Sequence, residues 1–377
     1  MPRVPWRSRS ASIARSNRRR LLVILPLLST VLLSLRGDVV RAQAPGPPAV
    51  GFSFRPYAAM ALGLDPQTAL TQLLTDIEPD VVRLPVYWSD VATSADVIDF
   101  AIPDQLVATV AAHDARTTSR RTTIVLVVGM RNLGAPELYA PGWALAAAGG
   151  KNATALAALP GFARYLEATV GHYSSNPLLQ RWQVENEPLD DSVPAAEGNT
   201  ALTVAEVSAE IAEVRSVDRS HPVMATTFTS SVLDLDEEEI AEADHDVPPP
   251  PGPQPGGHPE ETLGLGSTLG LDLYVVFGGV NFNDADPATR IIWKRNSLAF
   301  WAQRAAQRDK NVWIAEMQAA PWQNVSGFTT DDLLFSAEQY RGQGESAVLL
   351  WGVEQWLTSP AWLTAGERAA AVIRGAA

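Results

Sequence analysis

The chain has 377 residues, 46% of them hydrophobic and 19% charged, a composition typical of a globular protein with a large apolar core. Its 42 acidic and 29 basic side chains give a formal net charge of −13, which argues against a nucleic-acid partner because phosphate binding needs a basic face. Cysteine is absent, so disulfides and thiolate metal sites are excluded.

The first 44 residues have the three-part pattern of an export signal. Arginines, including the run Arg18–Arg20, precede the apolar stretch Leu21–Leu35, and Ala42-Gln43-Ala44 follows. The apolar stretch is shorter than the roughly 20 residues that span a bilayer. We therefore expect a cleaved signal and a secreted or extracytoplasmic protein, with an uncleaved membrane anchor as the alternative. The arginine run also fits a twin-arginine export route.

After a Pro-rich lead-in at residues 45–50, short β-branched segments alternate with longer amphipathic ones through residues 51–377. This alternation predicts parallel βαβ units. The expected strands are Gly51–Phe54, Val81–Val86, Thr123–Gly129, Arg181–Val184, Val223–Thr226, Leu271–Val275, Val312–Ala315 and Ala347–Leu350. The expected helices are Pro66–Ile77, Pro103–Arg116, Pro160–Tyr173, Val204–Val217, Arg295–Arg308 and Asp331–Arg341. Eight strands favour an α/β fold with a single (β/α)₈ TIM barrel, although an open doubly wound sheet gives a similar pattern.

One segment, residues 234–266, interrupts this alternation. It contains the acidic run Glu237–Glu239, the proline run Pro248–Pro251 and Gly256-Gly257, a composition that cannot form a core. It occupies the place of the fifth helix. We therefore expect a short or irregular helix there and a flexible Pro/Gly-rich insertion, interpreted as a surface loop rather than a functional lid.

Two predicted strands end in glutamate. The fourth continues into Glu185-Asn186-Glu187-Pro188, and the seventh ends at Glu316. Side chains at the C-terminal ends of barrel strands face the pocket in which barrel enzymes work. A pair of carboxyl groups there can hydrolyse a glycosidic bond, because one protonates the leaving oxygen and the other attacks the anomeric carbon. We expect Glu187 to be the general acid/base and Glu316 the nucleophile, with no cofactor.

These motifs resemble clan A, the four-seven superfamily of retaining glycoside hydrolases, which includes cellulase-like and β-galactosidase-like enzymes. The resemblance covers nearly the whole chain after the signal. It implies that Asn186 contacts the sugar 2-hydroxyl and that Trp351 forms a platform for the sugar. It also implies that Arg83 supports the nucleophile and that Tyr274 contacts it. The substrate is then an oligo- or polysaccharide, hydrolysed with retention.

Further tryptophans near the strand ends favour a carbohydrate site, because flat apolar rings stack on the C–H faces of sugars. Trp88, Trp143, Trp322 and Trp356 occupy such positions, and we select Trp88 and Trp322 as candidate substrate contacts. The five histidines do not cluster at strand ends, so neither a metal site nor a Ser-His-Asp triad is expected.

One departure from the clan A pattern affects the substrate. Many cellulases of the superfamily carry His at the ends of strands three and six, but here strand three continues into Met130-Arg131-Asn132 and strand six into Val275-Val276-Phe277. This difference argues against endo-cellulase activity and favours exo action on a β-galactoside or β-glucoside. The long segment Arg131–Pro160 is then expected to form one wall of the pocket. Two alternatives stay open: a catalytically silent barrel that binds polysaccharide, and a transglycosylase with the same glutamate pair.

Overall fold

The computed structural model describes residues 46–117, 120–134, 136–190, 200–229, 257–276, 286–321 and 327–376. The predicted export signal, the insertion as far as residue 256, and Trp322 lie outside these ranges. In the part of the chain that is described, no helix is both long enough and apolar enough to cross a membrane.

Eight parallel strands form a closed barrel in chain order, and β8 pairs with β1. The strands are β1 Ala49–Ser53, β2 Val81–Pro85, β3 Thr123–Val128, β4 Leu179–Val184, β5 Val223–Phe228, β6 Thr268–Leu273, β7 Asn311–Gln318 and β8 Ala347–Trp351. The predicted (β/α)₈ TIM barrel is confirmed, and an open sheet is excluded.

The boundaries of all eight strands differ from the prediction by one to three residues at one end or both, and those of β1 and β6 are the most informative. β1 begins at Ala49, within the predicted Pro-rich lead-in. β6 ends at Leu273 instead of Val275, although the apolar sequence continues. The backbone N–H groups of Val275 and Val276 donate to Gln318 Oε1, at 2.8 and 2.9 Å, so a side chain holds this segment in place of a β ladder.

Helices pack around the strands. They are Pro56–Ala61, Pro66–Ile77, Trp88–Val91, Ala101–Asp114, Gly142–Ala147, Ala153–Ala157, Pro160–Tyr173, Val204–Val217, Pro259–Leu265, Pro287–Ala306, Thr330–Tyr340 and Pro360–Arg374, with a 3₁₀ helix at Val353–Thr358. The helix predicted from Arg295 begins earlier, at Pro287, because Asp286 accepts a hydrogen bond from the Thr289 N–H and caps it. The short helix expected in the fifth position is present, with 7 residues between β5 and β6.

The apolar core has two main parts, besides a small third cluster that consists of Val127, Leu133 and Trp351. The larger part lies between the strands and the surrounding helices. The smaller part fills the barrel interior and consists of Val81, Val125, Met224, Trp313, Ala315, Ala347 and Leu349. Toward the C-terminal ends of the strands the interior becomes polar, with the buried side chains of Ser53, Arg83, Gln183, Thr226, Asp272 and Glu316. Buried polar and charged groups need partners, and Arg83 supplies them here by donating hydrogen bonds to Ser53, Gln183 and Glu316.

Candidate active site

A bulge in β7 sets the direction of Glu316. In the pairing with β6, Leu271 lies opposite Ile314 but Asp272 lies opposite Glu316, so Ala315 is an extra residue. Ala315 and Glu316 consequently both contact the barrel interior instead of alternating. A bulge that re-aims a side chain is a common feature beside active sites.

Both carboxylate oxygens of Glu316 accept hydrogen bonds. Arg83 Nη2 lies 2.5 Å from Oε1 in a buried ion pair, and the Tyr274 hydroxyl donates to Oε2. Burial and the neighbouring Glu316 charge raise the pKa of Tyr274, so its hydroxyl keeps its proton and remains a donor. The two donors hold Glu316 in one orientation and balance its charge.

Arg83 is itself fixed on three sides. Its Nε donates to Ser53 Oγ at 2.8 Å, its Nη1 donates to Gln183 Oε1 at 3.0 Å, and its Nη2 binds Glu316. The side chain is fully buried. A planar guanidinium with donors in a fixed fork suits this arrangement, which a lysine ammonium cannot reproduce. The structure therefore brings together Arg83, Tyr274 and Glu316, which the sequence analysis expected to be in contact with one another.

Glu187 follows β4 in a turn of unusual backbone conformation. Glu185 and Glu187 have φ angles of +60° and +43°, in the left-handed region that side chains with a Cβ rarely adopt. Glu185 is fully buried, and its carboxylate accepts hydrogen bonds from the backbone N–H groups of Met130 and Arg131, at 2.8 and 2.5 Å. The Glu187 N–H donates to Thr226 Oγ1 at 3.0 Å. These bonds hold the turn in a shape that the chain alone disfavours.

The Glu187 carboxyl group has an acidic environment. Its pKa is raised well above the usual value, first by burial and then by the negative charges of Glu137, Asp272 and Glu316. Its Oε1 atom is buried and accepts no hydrogen bond from any N–H or hydroxyl group in the described ranges. These surroundings favour the protonated form of Glu187, which is the form that a general acid needs.

Sequence reasoning missed two carboxyl groups beside Glu187. Glu137 accepts hydrogen bonds from Asn186 Nδ2 at 3.1 Å and from Arg131 Nη2 at 2.5 Å. It lies in an irregular segment after β3, where no periodic pattern marks its position. Asp272 lies in β6 and is fully buried. Its signal was visible, because a charged residue between Leu271 and Leu273 is unusual in a strand that is buried on both faces.

Asn186, predicted to contact the sugar 2-hydroxyl, is buried beside Glu187. Its Oδ1 accepts a hydrogen bond from Gln183 Nε2 at 3.0 Å, and its Nδ2 donates to Glu137 at 3.1 Å. A side-chain amide has two N–H bonds, so one of them is left for a substrate hydroxyl.

Trp351 lies at the end of β8, next to the residues that hold Glu316. Only 3% of it is exposed, and the Arg55 and Arg83 guanidinium groups lie 4.3 and 5.5 Å from its ring centroid. Arg55 is in turn paired with Glu354, with Nη2 and Oε2 2.9 Å apart. Trp351 is thus beside the catalytic candidates, but a sugar would need to displace or share the Arg55 contact in order to stack on it.

The other tryptophans have different positions. Trp88 is fully buried outside the barrel and packs against Trp143, Phe162 and Tyr165, so it belongs to the core and cannot contact a substrate. It turns outward because it begins a short helix after β2. Trp356 is also buried, and Trp322 is among the residues not described.

The described part of the chain contains no group of His, Asp or Glu that could hold a metal ion. The candidate site contains four carboxyl groups, those of Glu137, Glu187, Asp272 and Glu316. Arginine side chains pair with Glu137 and Glu316. Carboxyl groups in such a pocket can transfer protons or act as nucleophiles.

No protein-family model matches the sequence, and comparison with curated proteins gave no match. Solved structures are similar in fold. The GH5_18 protein from Streptomyces cattleya in complex with GlcNAc has a TM-score of 0.53 and 14% identity, over 82% of this chain and 71% of that chain. The exo-β-1,4-mannosidase from Opitutaceae bacterium strain TAV5 has a TM-score of 0.54 and 17% identity, over 87% and 59%. Endo-glycoceramidase II from Rhodococcus sp. has a TM-score of 0.50 and 15% identity, over 82% and 74%. At these identities the likeness shows a shared barrel fold.

Proposed function

We propose that this chain is a retaining β-glycosidase, with Glu316 as nucleophile and Glu187 as general acid/base. The observation that carries the proposal is the contrast between the two surroundings. Glu316 accepts hydrogen bonds from a cation and a hydroxyl, as a carboxylate does. Glu187 is buried and lies among other carboxyl groups, and both effects raise its pKa and favour its neutral form. A double displacement needs one ionised and one protonated carboxyl group at the same pocket.

In the first step Glu316 attacks the anomeric carbon, and the bond to the leaving oxygen breaks as Glu187 gives that oxygen its proton. The product is a glycosyl ester on Glu316. In the second step the Glu187 carboxylate takes a proton from water, and the water oxygen attacks the same carbon and frees Glu316. When Glu316 leaves the anomeric carbon, Arg83 and Tyr274 donate hydrogen bonds to its carboxylate and stabilise the negative charge.

The proposed substrate is a β-linked glycoside cleaved from its chain end. Arg131 and Glu137, from the long segment after β3, are hydrogen-bonded to Asn186 next to Glu187, which favours a pocket that this segment walls on one side. A β-galactoside or β-glucoside was expected from the sequence. The fold neighbours include an exo-β-1,4-mannosidase and a complex with Manβ1-4GlcNAc, so β-mannosides belong among the candidates. Nitrophenyl β-glucoside, β-galactoside and β-mannoside are the first compounds to assay.

The two glutamates give separate kinetic signatures. Glu316→Ala should remove nearly all turnover, because no other group in the mechanism attacks the anomeric carbon. Glu187→Ala should lose turnover on poor leaving groups but regain it on dinitrophenyl glycosides when azide is added, with a β-glycosyl azide as product. Turnover is measured by release of the phenol, and the product anomer is identified by NMR.

Glu338→Gln is the matched control, because Glu338 is exposed on the helix Thr330–Tyr340 and should have wild-type activity. Wild-type turnover in either active-site variant would disprove the assignment. An inverted first product would show that Glu316 does not act as the nucleophile.

A further inference from the structure

Arg55 covers the ring that was expected to form the platform for the sugar. It follows β1 at the mouth of the barrel, and its guanidinium carbon lies 4.3 Å from the centroid of the Trp351 ring. Only 3% of Trp351 is exposed. A sugar can stack on Trp351 only if Arg55 moves away, so the strength with which Arg55 is held decides which surface a substrate meets.

Glu354 holds Arg55 by three hydrogen bonds. The backbone N–H and Nε of Arg55 donate to Glu354 Oε1, at 2.6 and 3.3 Å, and Nη2 donates to Oε2 at 2.9 Å. Glu354 is fully buried. If Arg55 moved, this carboxylate would be left in the interior without its cation, and breaking a buried ion pair costs far more than one stacking contact supplies. Arg55 therefore stays over the Trp351 ring when a sugar enters.

One nitrogen of Arg55 is left for a ligand. Nη1 carries two N–H bonds, and neither donates to another residue in the described part of the chain, whereas the side chain as a whole keeps 13% exposure. The same Trp351 ring also lies beside Arg83, the partner of Glu316. The free donor is thus on the side of the barrel where the nucleophile is held, and its position is fixed before any substrate binds.

The charges around this donor indicate a neutral ligand group. The Arg55 cation is paired with Glu354 at 2.9 Å, and the Arg83 cation is paired with Glu316 at 2.5 Å. Neither cation has an unbalanced charge to offer a second carboxylate. A hydroxyl oxygen, in contrast, gains a charge-assisted hydrogen bond from a guanidinium whether or not the cation is paired. Nη1 therefore suits a sugar hydroxyl better than the carboxylate of a uronic acid.

The order of the strands indicates which hydroxyl groups face Arg55. In a closed barrel of eight strands in chain order, β4 and β8 lie opposite each other. Asn186, with the amide proposed to bind the 2-hydroxyl, follows β4, whereas Trp351 under Arg55 ends β8. In a pyranose ring, carbon 5 lies across from carbon 2 and carries the 6-hydroxymethyl group, and carbon 4 is next to it. A sugar whose 2-hydroxyl faces Asn186 therefore turns its 4- and 6-hydroxyls toward Arg55.

We propose that Arg55 is a specificity-determining residue, whose Nη1 donates a hydrogen bond to the 4- or 6-hydroxyl of a neutral sugar in place of stacking on Trp351. This inference rests on the proposed glycosidase function and deepens it. Glucose and galactose differ in the configuration of the 4-hydroxyl, so the fixed position of Arg55 takes part in the choice between a β-glucoside and a β-galactoside.

Two variants isolate the Nη1 contact. Arg55→Met/Glu354→Gln removes the guanidinium, and the glutamine oxygen can still accept the backbone N–H of position 55, so no charge is left buried alone. Glu354→Gln is the matched reference, because it carries the same glutamine and keeps Arg55. On 4-deoxy and 6-deoxy nitrophenyl β-glycosides, loss of the contacted hydroxyl should lower kcat/KM roughly ten- to a hundredfold in the reference and less than about threefold in the variant without Arg55.

The 2-deoxy glycoside is the internal control, because its missing hydroxyl faces Asn186 and should cost the same in both variants. A merely structural role for Arg55 would lower kcat/KM on all these substrates by the same factor. Equal penalties for each deoxy glycoside in the two variants would therefore overturn the proposal. A wild type that hydrolyses nitrophenyl β-glucuronide faster than the β-glucoside would overturn it as well, since the glucuronide has a carboxylate in place of the 6-hydroxyl.

Calorimetry separates this contact from catalysis. Methyl β-glucoside and methyl β-galactoside are titrated into Glu316→Ala/Glu354→Gln, with and without Arg55→Met. Weaker binding without Arg55, combined with no hydrolysis by wild type, would reject the glycosidase assignment and keep the contact. Hydrolysis by wild type, combined with equal binding in the two variants, would reject the contact and keep the assignment. No binding and no hydrolysis would overturn both.

Discussion

Glu187 and Glu316 have the same side chain, and their different surroundings give them different chemistry. Glu316 accepts hydrogen bonds from Arg83 and Tyr274, whereas Glu187 is close to Glu137 and Asp272. Burial of a carboxylate costs several kcal/mol unless a partner offsets it. Glu316 has such a partner in Arg83 and Glu187 does not, which is why we propose that the first group attacks and the second donates a proton.

Tyr274→Phe tests how much the hydroxyl contributes to the nucleophile. A hydrogen bond to a charged group is worth about 1.5–3 kcal/mol, so kcat/KM should fall roughly ten- to a hundredfold while the fold is unchanged. The hydroxyl donates to Glu316 Oε2, and Arg83 still holds Oε1. Steady-state kinetics on a nitrophenyl glycoside and circular dichroism provide the readout. A variant with wild-type kcat/KM would remove Tyr274 from the site.

The sequence indicated part of this site and not the rest. Glu187 and Glu316 follow apolar strands and belong to recognisable motifs, so their positions were predictable. Glu137 lies in an irregular segment, and its contact with Asn186 depends on how that segment folds across the end of β4. Trp88 was misplaced because a residue just after a strand can turn either inward or outward, and local sequence does not decide which.

At the scale of elements, strands that are buried on both faces were the most predictable. β3 is a continuous apolar run, and its predicted range differs from the observed Thr123–Val128 by one residue. β6 was misplaced because apolar residues continue through Val276 while the backbone leaves the ladder for the Gln318 side chain. The hydrophobic pattern of a sequence predicts which residues are buried. It does not predict which group accepts the hydrogen bond from each backbone N–H.

Gly129, at the end of β3, is an element-scale test of how the catalytic turn is supported. Its φ is +123°, and a Cβ there would lie 2.3 Å from the Glu185 carboxyl carbon. Gly129→Ala should therefore lower the free energy of unfolding by about 2–4 kcal/mol. Glu185 would also move from the Met130 and Arg131 N–H groups, so activity should fall more than stability alone explains.

Gly171→Ala is the matched control, because Gly171 is inside the helix Pro160–Tyr173 and a Cβ there meets nothing within 4 Å. This change should raise stability by about 0.5–1 kcal/mol. Chemical denaturation of both variants provides the measurement. A Gly129→Ala protein as stable and active as wild type would contradict the tight fit described for Glu185.

At the scale of the whole molecule, buried acids make stability depend on pH. Burial is the main cause that raises the pKa values of Glu137 and Glu185 to about 7, and it also raises those of Glu187, Glu210 and Asp272 well above their usual values. Such groups stabilise the fold fully below their unfolded pKa, near 4.5, and this contribution is lost as the pH rises through the folded pKa. Capping acids whose pKa is lowered, such as Glu206 and Asp286, act in the opposite direction in acid. We expect greatest stability at mildly acidic pH.

Glu210 allows this dependence to be tested away from the catalytic pair. It lies in the helix Val204–Val217 and is 6% exposed, and burial together with the neighbouring Glu185 carboxyl group raises its pKa. Near pH 5 the pair Glu185 and Glu210 holds a proton. Above about pH 7 the folded protein either keeps this proton at a cost in free energy or loses it and has two buried carboxylates side by side. Glu210→Gln provides a permanent amide donor, so Glu185 can ionise without a buried like-charge pair. The variant should match wild type near pH 5 and exceed its free energy of unfolding by about 1–3 kcal/mol near pH 8.

Denaturant titrations at these two pH values, with Glu213→Gln on the same helix as the control, separate this effect from a general change in charge. Glu213 is outside the Glu185 contact, so its substitution should shift stability by the same small amount at both pH values. The gain in stability of Glu210→Gln should instead appear only at a pH at which the glutamates of the unfolded chain are ionised. In that range the folded wild type still binds a proton that the unfolded chain has lost, and this difference lowers its free energy of unfolding. A gain of equal size at pH 5, or a loss at pH 8, would mean that Glu185 and Glu210 do not share a proton. In that case the alkaline loss of stability would come from other buried acids, among them Glu137, Glu187 and Asp272.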